Sequence, residues 1–202
     1  MANDALFHGL FWGLLGGIMM VRVLSIAQVR RSGARFTPDS QAIEREGKAA
    51  FAVRFVGFFF LIGVLVAYAF NPRWMRTLDL PIPVVARWVG FAFGLIGVGI
   101  AAWAQVTLGR QWSAQLQLTE GHRLITSGPY ASIRHPIYAS LIAISIGFGL
   151  VTANWLFIGF GALSIGMSLS RIPREERMMR EGVPGYADYA AKVQFRLLPG
   201  VW

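Results

Sequence analysis

Five apolar runs alternate with short polar segments along the chain. The first extends from about Leu6 to Val29, interrupted by Arg22. The second covers Phe51 to Phe70, and the third Val84 to Leu108. Each is long enough to cross a hydrocarbon core of about 30 Å as a helix. Two shorter runs follow, Ile137 to Val151 and Trp155 to Leu169, separated by Thr152-Ala153-Asn154. Each is marginal for a full span, and together they predict a tight helical hairpin that enters and returns to the same side. Glycines crowd the first run (Gly9, Gly13, Gly16, Gly17) and the third (Gly90, Gly94, Gly97, Gly99), where small residues allow close helix packing. Gly97-Val98-Gly99 lacks the strand-before, helix-after context of a dinucleotide fingerprint.

The basic residues give this pattern a direction. Arg30, Arg31, Arg35, Arg45 and Lys48 lie between the first two runs, and only Arg73 and Arg76 lie between the second and third. Arg110, Arg123 and Arg134 follow the third. Arg171, Arg174, Arg177, Arg180, Lys192 and Arg196 fill the tail. Five spans with the N-terminus outside gather every basic-rich segment on one face, which the positive-inside rule makes cytoplasmic. The expected fold is therefore an all-α integral membrane protein of about five transmembrane helices, the last two a short hairpin. Residues 1–108 form the N-terminal helices and residues 109–202 a second, chemistry-bearing half.

Composition narrows the classes. A chain of 202 residues that is 55% hydrophobic is too apolar for an ordinary soluble domain. The net charge of +9 then reads as cytoplasmic bias and contact with anionic lipid heads, since no basic–aromatic patch or nucleic-acid motif accompanies it. There is no cysteine, so disulfides and thiolate chemistry are excluded. His8, His122 and His135 match no zinc spacing. With only Asp4 before it and no basic leader, the first run is expected to be a retained helix.

Two polar regions fall on the predicted cytoplasmic side. In the first, Gly109-Arg110 suits a helix end, and Ser113 to Leu118 alternates polar with apolar as an extended segment would. Ser127-Gly128-Pro129-Tyr130 is a turn. In Arg134-His135-Pro136, the proline forces His135 toward extended backbone and can itself start a helix. In the second region, Pro173 is expected to break or begin a helix, placing Glu175 and Glu176 in an early turn. Tyr186, Tyr189, Ala190 and Val193 share one face of a short amphipathic helix, resting on the membrane or capping the site.

The run from Leu108-Gly109-Arg110 through Gly128-Pro129-Tyr130 to Arg134-His135-Pro136-Ile137-Tyr138 resembles the isoprenylcysteine carboxyl methyltransferase family, part of a wider group with the phospholipid N-methyltransferases. The tail agrees in Arg171-Ile172, Glu175-Glu176, Tyr186, Tyr189, Val193 and Arg196-Leu197-Leu198-Pro199. The resemblance covers the C-terminal half. The sequence departs from the family pattern at Ser140, where glycine is common. The resemblance implies S-adenosylmethionine as methyl donor, bound on the cytosolic side, and a lipidic acceptor entering sideways from the bilayer. Methyl transfer from a sulfonium needs alignment and exclusion of water rather than a metal or a covalent nucleophile.

Residue by residue, the expected cofactor-binding set is Leu124, Gly128, Tyr130, Arg134, His135, Pro136, Tyr138 and Glu176, and the expected catalytic set Arg171, Glu175 and Arg196. Each has a plainer reading. His135 could bind the cofactor's amino-acid end or cap a helix. Arg134 could pair with a carboxylate or anchor to lipid phosphate. Tyr130 and Tyr138 could line a pocket or belong to an interfacial aromatic belt. Glu175 and Glu176 could serve a ligand, or pair with Arg171 and Arg180 at i, i+4. Arg171 and Arg196 could orient a substrate carboxylate or snorkel to the interface. Arg22, Arg54 and Arg87 read as helix-end anchors, and His8 as a boundary residue.

Three functions compete. The first is a membrane methyltransferase, with a carboxylate acceptor favoured by the surrounding arginines. An amine acceptor instead needs a base such as Glu175 or Glu176. The second is an NADPH-dependent sterol-type reductase, a group whose members generally have more helices. The third is a non-enzymatic membrane module, weakly supported because no inverted repeat is visible.

Overall fold

The computed structural model describes residues 2–31, 48–109 and 124–200. The helices are α1 (Ala2–Arg31), α2 (Lys48–Phe70), the single turn α3 (Arg73–Arg76), α4 (Val84–Leu108), α5 (Pro136–Thr152), α6 (Trp155–Gly182) and α7 (Tyr186–Lys192). A 3₁₀ turn at Gly128–Ala131 precedes α5. Among the described residues there is no strand, only an isolated bridge between Asp79 and Asn154. The extended segment expected over Ser113 to Leu118 lies outside the described residues, as do His122, Arg110 and Arg123.

The apolar runs became helices as expected, and this is a membrane protein. Among the described residues, three helices are long and apolar enough to cross a bilayer: Asn3–Arg31, Val84–Leu108 and Trp155–Gly182. Phe55–Phe70 and Pro136–Thr152 are shorter apolar helices. Phe55, Phe58, Phe59, Val85, Val106 and many like them face outward. An apolar exterior of this kind suits lipid rather than water.

The packing fixes the relative directions. Cβ atoms built at Gly94 and Gly17 would meet Leu14 and Val98, so α1 and α4 run parallel. Gly90 lies against Gly147 and Leu150, and Gly97 against Ser140 and Ile144, so α4 and α5 are antiparallel. A Cβ at Gly147 would stand 2.7 Å from the backbone nitrogen of Gly94. The two helices therefore touch backbone to backbone, and only glycine fits. Gly9, Gly13 and Gly16 of α1 differ from expectation: nothing in the described chain lies within 4 Å of an added Cβ there.

The C-terminal hairpin departs from its predicted form. Its second arm is the 28-residue α6, which runs on past Leu169 with Pro173 inside it. Proline removes one backbone bond to the preceding turn. Here its ring is exposed while neighbouring Ile172 and Glu176 are buried on the inner face. Burial on both sides of the proline holds the helix together. Glu175 and Glu176 thus belong to a long helix rather than to the first turn of a new one.

One end of the bundle is closed by polar latches. Arg87 donates to Asp4 (2.8 Å) and to the Val151 carbonyl (3.0 Å), with its guanidinium 4.1 Å from the Phe7 ring centroid. That is the anchoring role expected of Arg87. Fully buried Asn154 accepts from the Leu156 amide, capping α6, and donates to the Met75 carbonyl and to Asp79. His8 packs on Tyr68 and Trp12 at this end. Between the ends lies a core of Phe7, Phe11, Leu14, Val64, Tyr68, Val151 and Phe157. The opposite end receives the C-termini of α1 and α4, the start of α5 and the charged end of α6.

Candidate functional site

The site is assembled where α4 ends and α5 begins. α4 stops at Leu108, and Gly109 takes a positive φ of 54°. Gly128 also has positive φ (59°), and a Cβ there would stand 2.8 Å from Thr107 Oγ1 and 3.2 Å from Trp103 Nε1. Glycine therefore lets the 3₁₀ turn press against the last turns of α4. Tyr130 is buried in that turn, and its carbonyl accepts a 2.7 Å bond from the Tyr189 hydroxyl. Burial pushes the Tyr189 hydroxyl up to about 12 and raises that of Tyr130 still further. Both hydroxyls are neutral at physiological pH.

Pro136 occupies the first position of α5, as its fixed φ suits. His135 precedes it with φ −126° and ψ 58°, excluded from the helix by the proline yet short of full extension. Its backbone amide donates to the Arg196 carbonyl (2.8 Å), and the Arg134 amide donates to Phe195 (3.0 Å). The tail is thereby stitched across the Arg134-His135 segment. The Arg134 guanidinium reinforces the stitch, with Nη1 donating to the carbonyls of Val193 (2.6 Å) and Gln194 (2.9 Å).

These bonds converge on Glu176. Arg134 Nε donates to its Oε1 at 2.7 Å, and Arg196 Nη2 to its Oε2 at 3.2 Å. His135, with its proton on Nε2, donates to Oε1 at 3.3 Å. The carboxylate is almost fully buried. It lies nearly two helical turns beyond Leu169, outside the apolar part of α6. Burial by itself disfavours the charge, but the bonds from His135, Arg196 and Arg134 outweigh it and hold the carboxyl well below the usual carboxylate range. Beside it, Tyr138 donates to Glu175 Oε2 at 2.6 Å, and His135 Nδ1 stands 3.9 Å from Glu175 Oε1. His135 therefore lies between the two carboxylates. The Glu175 side chain is 30% exposed, against 6% for Glu176.

The structure brings Arg134, His135, Tyr138, Glu175, Glu176 and Arg196 into one cluster, with Pro136 at its edge. Leu124 stands slightly apart, packed with Met179, Val183, Tyr186, Tyr189, Ala190 and Val193. α7 buries the face expected of it against the protein. Arg171 precedes Glu175 by one turn of α6. The i, i+4 pair of Glu176 with Arg180 is not formed, because Glu176 turns to Arg134, His135 and Arg196 instead. Reading the sequence missed the tail carbonyls as partners of Arg134 and the Tyr189–Tyr130 bond. Neither leaves a local signal, since each joins residues about sixty positions apart.

Residues 89–181 match the isoprenylcysteine carboxyl methyltransferase (ICMT) family. Among similar proteins, a probable protein-S-isoprenylcysteine O-methyltransferase of Oryza sativa subsp. indica is 32% identical over 110 residues, covering 52% of this chain and 58% of the relative. The cobalt-zinc-cadmium resistance protein CzcN of Cupriavidus metallidurans is 29% identical over 116 residues, covering 53% and 51%. YpbQ of Bacillus subtilis, an uncharacterised protein, is 22% identical over 177 residues, covering 85% and 98%. The chain thus spans about half the length of CzcN and of the rice relative. The matched segment contains α5, α6 up to Glu181, and the Arg134, His135, Glu175 and Glu176 side chains, and it stops before α7 and Arg196. The segment that carries the cluster, apart from Arg196, is thus similar to the isoprenylcysteine carboxyl methyltransferase family.

Proposed function

We propose that the chain is an S-adenosylmethionine-dependent membrane methyltransferase that acts on a lipidic acceptor, and that the favoured reaction is carboxyl methylation of an isoprenylcysteine-like substrate. The observation that carries this reading is the Glu176 cluster, a buried carboxylate held by Arg134, His135 and Arg196 at one end of the apolar bundle. The residues suit the cofactor's amino-acid end, which presents an ammonium and a carboxylate. Glu176 complements the ammonium, and Arg134 with His135 complements the carboxylate.

When bound, S-adenosylmethionine supplies a methyl group already activated on a sulfonium. The protein's share of the work is alignment and exclusion of water. Glu176 serves as the internal post that fixes Arg134, His135 and Arg196. Tyr138 orients Glu175. Gly128, Tyr130 and Leu124 shape the wall between α4 and α7, and Pro136 sets the direction of α5. A carboxylate acceptor is ionised at neutral pH and needs a cation beside it, the role assigned to Arg171 and Arg196. An amine acceptor must lose a proton, which Glu175 is placed to receive. The distribution of basic residues along the sequence supports a cytoplasmic site end, an outside N-terminus and five crossing helices.

Purified protein incubated with methyl-labelled S-adenosylmethionine and either a farnesylcysteine or phosphatidylethanolamine tests the reading. Base-labile label on the farnesylcysteine is expected. Label on the phospholipid alone would move the acceptor to an amine. Turnover of NADPH with a sterol, and no methyl transfer, would replace the reading with the reductase.

A further inference from the structure

Gln105 lies inside the bundle, 1% exposed, with neither side-chain polar atom hydrogen-bonded. A buried amide left unpaired in an apolar bundle is costly and calls for a partner. The registers on each side locate it. On α4, Gly94 and Val98 meet Leu14 and Gly17 of α1, and Ala101 packs with Ile18 and Ile144. Further along, Gly109 approaches Gln28. Gln105 stands between those levels, where parallel α1 presents Val21 and Ser25. The buried Ser25 hydroxyl is turned back to its own helix, donating to the Val21 carbonyl at 2.8 Å. Measured from Gly97 and its partner Ile144, Gln105 and Pro136 each lie two turns, about 12 Å, toward the site end. Gln105 is thus at the depth of His135 and Pro136, level with Val21 and Ser25 of α1.

We propose that Gln105 is a binding residue for the polar end of the lipidic acceptor. Its carboxamide donates to a carbonyl or carboxylate oxygen and accepts from an amide N–H of a ligand whose apolar chain lies against α1 and α4. This rests on the methyltransferase reading and adds to it a residue that selects for an amide-bearing acceptor. A ligand lacking that amide leaves Gln105 unpaired and binds less tightly.

The test uses the full chain in detergent, with Gln105→Met and Gln105→Leu, two variants that keep the volume and remove the amide. Three quantities are measured: the unfolding temperature without ligand, and the dissociation constants for N-acetyl-S-farnesylcysteine and for S-adenosylmethionine. Both variants are expected to melt at or above the wild-type temperature. They should bind the farnesylcysteine about tenfold or more weakly and keep the cofactor within about twofold. A lower unfolding temperature with unchanged farnesylcysteine affinity would make Gln105 a structural amide and overturn the proposal. So would equal loss of both ligands. Wild-type protein that binds the cofactor but not the farnesylcysteine would sink this proposal and leave the methyltransferase reading standing. Binding of neither would sink both.

Discussion

Arg134 and Glu176 are 42 residues apart in the chain and 2.7 Å apart in space, Nε to Oε1, with both side chains almost closed to solvent. One joins the 3₁₀ turn to α5 and the other lies deep in α6. Their pairing ties the two arms of the hairpin to the tail that Arg134 also holds. Removing one partner of a buried ion pair leaves the other charged and unsatisfied. Glu176→Gln is therefore expected to lower stability by about 3 kcal/mol, measured as unfolding in detergent. Glu176→Gln with Arg134→Met should recover part of that loss. A double variant as unstable as the sum of the singles would mean that the two residues act independently.

Tyr138 and Glu175 make a smaller claim. Tyr138→Phe deletes one hydroxyl donor to a carboxylate that is partly solvated. Stability should fall by about 1 kcal/mol or less. Methyl transfer should fall more steeply than stability if Glu175 must be held in place. Equal activity in the variant would show that orientation of Glu175 is irrelevant to turnover.

At the other end of the bundle, Asn154 caps α6 and fastens it to the α2–α4 connection. Asn154→Ala should cost about 2 kcal/mol, from a lost cap and buried groups left unpaired. Cofactor affinity in the surviving folded protein should be unchanged. A large loss of affinity would mean that the latch and the Glu176 cluster are coupled through the helices.

The glycines divide into two kinds. Gly147→Ala sets a methyl against the Gly94 backbone, which cannot yield without parting α4 and α5, and should abolish or strongly reduce folded protein. Gly13→Ala meets open space and should be neutral, or stabilise by up to about 1 kcal/mol through helix propensity. Yield and unfolding temperature of the two variants decide it. A Gly13 variant as damaged as the Gly147 variant would mean that α1 packs against something beyond the described residues.

This division also marks how far the sequence could be read. The apolar runs and the Gly128-Pro129 turn were legible because transfer to lipid and backbone sterics act locally. Pro173 was misread because the helix persists through burial of Ile172 and Glu176, a tertiary effect invisible in a local window. The cluster members were named from their motifs, but their partners were not. The choice of Arg134 over Arg180 by Glu176 depends on where α5 and the tail return in space. Gln105 gave no signal at all, since an amide in an apolar run shows its lack of partners only after folding.

The central claim is that the Glu176 cluster forms the cofactor site, and calorimetric titration of S-adenosylmethionine into detergent-purified protein tests it most directly. NADPH should be titrated separately, with His135→Ala and Glu176→Gln as variants and Asn154→Ala as the control. Saturable binding of S-adenosylmethionine is expected, weakened at least about tenfold in the two cluster variants and unchanged in Asn154→Ala, with no heat from NADPH. Folded wild-type protein that gives no binding, or that binds equally well without His135 and Glu176, would contradict it.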